Sequence, residues 1–513
     1  MFGLLTFRKP NLEPSIARSV LYPYLLSSQL PVKRFLSNMP THFDALFLGS
    51  GQSANPLAKL FASHGRKTAL VERSALGGTC VNVGCTPTKT IIASGRVAYL
   101  ARRGKDFGIK TEDVEVDMVK VRNRKREIVK QWNSGSVKGL ESAGVSIYMG
   151  AASFVSPKEV KVSMEGGRTE TLTADLIFVS SGERANKPDI PGLADVEEGR
   201  VCDSTSIMEL DAVPHHLIVF GGGYIGLEFG QLFRRLGSEV SIIQRAQQLV
   251  PKEDADIAEC LREILEEDGC DIHLSSVVRS VKCYPEAKET PFVVHMKTPS
   301  GEVASIAGSH ILLAAGRVPN TDTLNVAAAG IKTTPKGHIV VDDKLQTNVS
   351  GIYALGDVHG GPAFTHMSYD DARIIRTNLL PHSLGTMPPM QNTQSSASRV
   401  LTPYVMYTDP QLGHIGLHDR DLKDRATKTA VMPMSRVARA VETAEARGMI
   451  KATIDADSGE ILGFTCLGIE GGEVMSVVQA AMMGRLKWWD MEAAVWAHPT
   501  LAESLNNLWA YLK

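Results

Sequence analysis

Residues His42–Arg73 read HFDALFLGSGQSANPLAKLFASHGRKTALVER. The apolar run FDALFLG predicts a buried strand, SGQSANP a glycine loop, LAKLFASHG a helix, and KTALVER a second strand. That order opens a parallel α/β unit. Gly49 and Gly51 permit the tight turn and a close backbone approach, and such a loop suits a pyrophosphate at the helix N-terminus. Ala54 stands where a third glycine is usual and still lets the helix pack on the strand. Glu72 ends the second strand, where an acid can accept from a ribose hydroxyl. Farther on, TNVSGIYALGDV brings Gly356 and Asp357 to another strand end. There a carboxylate can either accept from ligand hydroxyls or cap a helix.

A second unit of the same kind starts at His216, with LIVFG, GGYIG, LEFGQLFRRLG and SEVSIIQR. FGGGYIGLEFG supplies Gly221, Gly223, Gly226 and Gly230, a fuller fingerprint than the first. Two such units imply two nucleotide sites. The second strand ends in Gln244 and Arg245. A neutral residue beside an arginine suits a 2′-phosphate better than a free 2′-hydroxyl, so NADPH is expected, with NADH the alternative.

The chain has 513 residues, 43% apolar and 22% charged, with a formal net charge of −1. Two to four domains are expected. The charge gives no bulk attraction to nucleic acid, and no apolar run is long enough to span a bilayer. Seven scattered cysteines argue against a secreted disulfide framework and for reduced thiols with one special pair. Residues 1–40 carry Arg8, Lys9, Arg18, Lys33 and Arg34 against Glu13 alone, among serines and leucines. This fits a mitochondrial transit peptide; translation from Met39 would leave a cytoplasmic protein. A Pro/Ser/Gly-rich stretch from Pro381 reads as a linker, and the segment after it as a separate α+β domain.

GGTCVNVGCTPTKT, Gly77–Thr90, holds Cys80 and Cys85 five positions apart. In a regular helix their Cα atoms would lie roughly 8–9 Å apart, beyond the ~7 Å limit for a disulfide. A bridge therefore needs a distorted turn. Gly84 frees the backbone, and Pro87 biases Thr86 away from helix. A helix N-terminus would also lower a thiol pKa. Two buried structural thiols are the alternative; no Cys or His pair nearby completes a zinc site.

GGTCVNVGCTPTK resembles the redox-active motif of the FAD-dependent pyridine nucleotide–disulfide oxidoreductases, which include lipoamide dehydrogenase, glutathione reductase and mercuric reductase. The resemblance runs from about Phe43 to the C-terminus, with five motifs in the family's order. It implies two Rossmann-like dinucleotide-binding domains and a C-terminal α+β dimerisation domain. The FAD part would cover 41–182 and 313–385, the NAD(P) part 183–312 and the interface domain 400–513. Cys80 would be the interchange thiol and Cys85 the thiolate against the flavin. Lys89 and Glu228 would pair near the reactive flavin nitrogen. Gly78, Thr79, Ser181, Gly182 and Asp357 would serve FAD. Tyr224, which moves aside for nicotinamide, would serve the second nucleotide with Ile225 and Gly316. AHPTLAES gives His498 and Glu503, which match the family's acid–base dyad. There the histidine reaches the partner subunit's disulfide, so a homodimer is implied. The resemblance also implies electron flow from NADPH through FAD and the Cys80–Cys85 bridge to a small disulfide or a metal ion. A quinone reductase working directly from flavin is the competing reading.

GSGQSA, FTHMSYDDARI and the Gln–Arg strand end resemble the mercuric-reductase-like branch. The cysteines run only from Cys80 to Cys466, without that enzyme's C-terminal pair or N-terminal Cys-x-x-Cys, and the His–Glu dyad is retained.

Overall fold

A computed structural model describes residues 40–380, 395–399 and 401–513. The expected targeting extension, and the expected linker from Pro381 to residue 394, lie outside the described residues.

The first sheet is seven-stranded. Ser146–Met149, Thr68–Glu72, Thr41–Leu48 and Thr169–Val179 run parallel, and Ile352–Ala354 returns from far along the chain to pair with Thr169–Val179. Glu159–Ser163 and Ala151–Ser156 extend it as an antiparallel ribbon. Thr68–Glu72 is buried at every position, as a central parallel strand covered on both faces must be. The Ala54–Ser63 helix buries Leu57, Ala58 and Phe61 against it. Phe47 and Phe178 stack at 4.6 Å with Phe61 edge-on to Phe178 at 5.2 Å. Each such ring contributes roughly 1.5–3 kcal/mol by leaving water.

The second sheet orders Cys270–His273, Glu239–Ile243, His216–Phe220, His310–Leu313 and Val201–Cys202, all parallel. The third is antiparallel: Tyr404–Met406, Gln411–Gly416, Ile461–Gly468, Met449–Asp455 and Thr427–Pro433, with the Gly471–Met483 helix against it.

Two devices join these layers. Glu183–Ala185 pairs antiparallel with Arg317–Pro319 where the chain crosses between the nucleotide units. Asp409, beside the third sheet, receives the guanidinium groups of Arg96 and Arg235 from the other two units. Burial opposes the Asp409 charge, but those guanidinium groups outweigh it and hold the carboxyl below its usual range.

Candidate active site

Gly77 (φ +104°) and Gly78 (φ +68°) turn the chain through the left-handed region after the Thr68–Glu72 strand. Cys80 follows in the short Gly78–Asn82 helix, which stops at Val83. A Cβ on Gly84 would lie 2.9 Å from the Thr79 carbonyl oxygen, so the chain can fold back there only without a side chain. The Cys85–Arg102 helix then begins on Cys85 itself. The break is thus at Gly84 and not at Thr86, which is helical. First-turn N–H groups have no intrahelical acceptor, so Pro87 costs nothing at that position.

The two helices bring the thiols into hydrogen-bond contact. The bond from Cys80 is the main cause that lowers Cys85 to about 6; Thr365 and Lys89 add to it, against burial. Thr365 Oγ1 lies 3.3 Å from Cys85 Sγ. The same bond, with burial, pushes Cys80 up. One proton therefore stays on Cys80 and the charge on Cys85, at a helix N-terminus that favours an anion. Lys89, one helical turn on, meets Glu228 of the Tyr224–Leu236 helix at 2.8 and 3.1 Å. Glu228 also accepts the Tyr407 N–H at 2.8 Å, and the Tyr407 ring lies under the Lys89 ammonium.

These groups face a cavity of about 1830 Å³. At one end lie Gly49, Gly51, Glu72 and Gly78; Ser181, Gly182 and Asp357 line its wall. Gly223, Tyr224, Ile225 and Gly316 reach it from the second unit, while Thr79, Cys80, Cys85 and Lys89 stand between. The donor set fits a dinucleotide. The Ala54–Ser63 helix has no side-chain cap, and Gly51 and Gln52 of the turn that leads into it line the cavity, where a helix N-terminus favours a phosphate. Ser181 Oγ is buried without a hydrogen-bond partner among the described residues, and burial raises the Asp357 carboxyl.

Several expected positions sit differently. All four acceptor sites of the Glu72 carboxylate are engaged by the chain: Ser50 at 2.7 and 3.1 Å and Ser74 at 2.9 and 3.3 Å. It braces the glycine turn while lining the cavity. Gln244 does not face the cavity; its Oε1 accepts the Gly222 and Arg245 N–H groups at 3.4 and 3.1 Å. Arg245 is exposed and forms no ion pair among the described residues. Ala54, Gly221 and Gly226 lie behind the wall, where a Cβ on Gly226 would meet the Gly221 carbonyl oxygen at 2.0 Å. His498 Nδ1 meets both Glu503 oxygens at 2.9 Å, but His498 is exposed, Glu503 is half-buried, and neither lines the cavity of its own chain.

The sequence matches the family of pyridine nucleotide-disulphide oxidoreductases over residues 43–372, and that family's dimerisation domain over residues 402–509. The chain belongs to this family. It is an oxidoreductase with the family's α/β fold, and its membership implies FAD and a pyridine nucleotide. The probable pyridine nucleotide-disulfide oxidoreductase RclA of Escherichia coli is 32% identical over 476 residues, covering 92% of this chain and 99% of the relative. A mercuric reductase of Bacillus cereus is 32% identical over 467 residues, covering 90% and 70%. The structure of a Cu(II) complex of the HOCl-induced flavoprotein disulfide reductase RclA from Escherichia coli superposes with a TM-score of 0.82. Its sequence is 30% identical, and the match covers 92% of this chain and 99% of that one.

The oxidoreductase also has cavity residues that the sequence did not single out: Thr365 on Cys85, Tyr407 beneath Lys89, and Tyr404, His414 and His418, with Glu253 buried behind Tyr404. Only the His–x–x–x–His spacing of QLGHIGLH could have pointed to part of this set.

Proposed function

We propose that the enzyme passes two electrons from NADPH, through FAD, to the Cys80–Cys85 bridge and on to a thiophilic acceptor, with Cu(II) and small disulfides the first to test. The carrying observation is the juxtaposition of Cys80 and Cys85, Thr365 at 3.3 Å from Cys85, and the Lys89–Glu228 pair in one cavity with both glycine turns. A flavin bound there would store the electron pair between nicotinamide and sulfur. Gly51, in the turn that enters the Ala54–Ser63 helix, would seat its pyrophosphate, and Asp357 would accept from its hydroxyls. Cys85 keeps its charge toward the flavin side. Cys80 keeps the proton until it attacks, and must lose it to become a nucleophile. His498, oriented by Glu503, suits that proton transfer in a dimer of two copies.

A metal-ion acceptor balances as NADPH + 2 Cu(II) → NADP⁺ + 2 Cu(I) + H⁺. A disulfide balances as NADPH + H⁺ + RSSR → NADP⁺ + 2 RSH. The copper complex of RclA, a relative of nearly the same length, supports placing Cu(II) beside the disulfides. The test is NADPH oxidation by the full flavin-loaded chain with Cu(II), Hg(II), lipoamide and glutathione disulfide in parallel. Turnover on at least one acceptor, lost in Cys80→Ser, is expected. Undiminished turnover in Cys80→Ser would assign direct transfer from flavin and overturn the dithiol path.

A further inference from the structure

A second line of polar groups borders the same cavity, and the electron path does not use it. Tyr224 opens the Tyr224–Leu236 helix directly after the glycine turn. Glu228 lies four residues on, so both project from one helix face. A nucleotide whose pyrophosphate rests on that turn must pass Tyr224 to bring its nicotinamide to the Lys89–Glu228 pair. The Tyr224 ring stacks on Tyr404 at 5.7 Å and on Phe364 at 6.4 Å. Its hydroxyl donates to Glu253 Oε1 at 2.8 Å, and Tyr404 donates to the same oxygen at 2.7 Å. Glu253 is only 4% exposed, and its Oε2 is buried with no hydrogen-bond partner among the described residues.

Behind Tyr404, His418 Nε2 lies 3.0 Å from the phenol oxygen, and His418 Nδ1 faces Asp254 Oδ1 at 3.5 Å. Lys451 closes the line against Asp254, Asp256 and Asp419, while Arg420 stands close and His414 stacks on His418.

Glu253, His414 and His418 bring ligand atoms within 4.8 Å of one another. A shared metal ion is excluded by the ring planes. The imidazoles stack at 3.9 Å and 2°, so their in-plane lone pairs run side by side. They cannot converge on one ion about 2 Å from each. The protons give a different role. Both phenol protons are committed to Glu253, so the Tyr404 oxygen can only accept from His418 Nε2–H. Burial favours the neutral acid at Glu253, and the two phenols are the groups that oppose it most.

We propose that Glu253 is a positioning residue that latches Tyr224 across the nicotinamide route, and that an entering nucleotide breaks the latch and draws a proton onto Glu253. This rests on reading the cavity as a nucleotide-to-dithiol path. The sign follows from the donor count. The closed latch gives Glu253 two donors and the open one gives it one, so opening takes up a proton from solvent. Nucleotide affinity therefore falls as pH rises.

The test is calorimetric titration of the full flavin-loaded chain with NADP⁺, which binds without turnover, in buffers of different ionisation enthalpy. Wild type should take up more protons on binding than Glu253→Gln, whose amide keeps the shape but cannot be protonated. Glu253→Gln should bind about tenfold more tightly, because a neutral acceptor holds the phenols less well. Tyr404→Phe should also take up fewer protons than wild type, since Glu253 is then already protonated in the free enzyme. Equal proton uptake in all three proteins, or weaker binding by Glu253→Gln, would overturn the latch. A proton-linked NADP⁺ titration in a chain that reduces no acceptor would overturn the electron path and leave the latch standing.

Discussion

Cys85 holds its charge because Cys80 and Thr365 donate to it and Lys89 stands one turn away. With the protein reduced, alkylation of Cys85 by iodoacetamide, followed by peptide mapping, should show a midpoint at about 6. An ordinary thiol titrates near about 8.5. Removing a donor to the thiolate destabilises it, so Cys80→Ala should move the midpoint up. It should do so further than Lys89→Met, since the Cys80 bond is the larger cause. An unmoved midpoint in Cys80→Ala would show that the proton is not shared. Arg245 poses a separate residue question. It is exposed at the end of the Glu239–Ile243 strand, without an ion pair among the described residues, while Gln244 is occupied with backbone. If Arg245 meets the 2′-phosphate, Arg245→Glu should raise the KM for NADPH by roughly 10–100-fold, the value of one charge-assisted bond, and barely alter that for NADH. An equal rise for both nucleotides would remove it from the specificity site.

At the scale of elements, the two glycine turns show what a sequence discloses and what it hides. Their position between strand and helix was readable, because apolar runs and glycines are local signals. The tasks of the individual glycines were not. Gly49 has φ +104°, and a Cβ there would lie 2.3 Å from the Ser180 carbonyl oxygen, so it serves strand packing. A Cβ on Gly51 would meet nothing closer than Ser180 Oγ at 3.5 Å, and Gly51 faces the cavity. The two alanine variants should therefore separate. Gly49→Ala combines a left-handed backbone with a clash and should cost about 3 kcal/mol or more, lowering Tm and flavin content together. Gly51→Ala should keep Tm and lose flavin, read from the ratio of flavin to protein absorbance. Equal losses of Tm in both would mean that Gly51 too is a packing glycine. Glu72 teaches the same lesson from the other side. Its distance from the glycines marked it as a ribose acceptor, and it also accepts from Ser50 and Ser74, contacts that no spacing rule encodes.

For the whole molecule, the missed groups other than Thr365 depend on the third sheet folding back onto the nucleotide units. Tyr404, His414 and His418 come from a segment without a fingerprint, and they reach Tyr224 and Glu253 only through tertiary packing. Met406, Leu412 and Leu467 of that sheet share a core with the second nucleotide unit, so the placement is set by apolar burial and not by motif. The same scale decides what His498 does. Its side chain is 67% exposed, hydrogen-bonded to Glu503 and remote from the cavity of its own chain, in a segment that matches the family's dimerisation domain. A histidine so placed can serve Cys80 only from a second copy. Cys80→Ser should lack an interchange thiol, and His498→Ala should be slowed by roughly 10²–10⁴-fold through loss of an acid–base group. In a purified heterodimer of the two variants, action across the interface leaves one site with both Cys80 and His498 and the other with neither. Such a heterodimer should recover about half of the wild-type rate. Action within one chain leaves every site defective, and the heterodimer would then run no faster than the His498→Ala homodimer. Differently tagged chains, co-expressed and purified over both tags, make the comparison direct. A rate at the lower level would remove His498 from the partner's chemistry and leave its bond to Glu503 a surface contact.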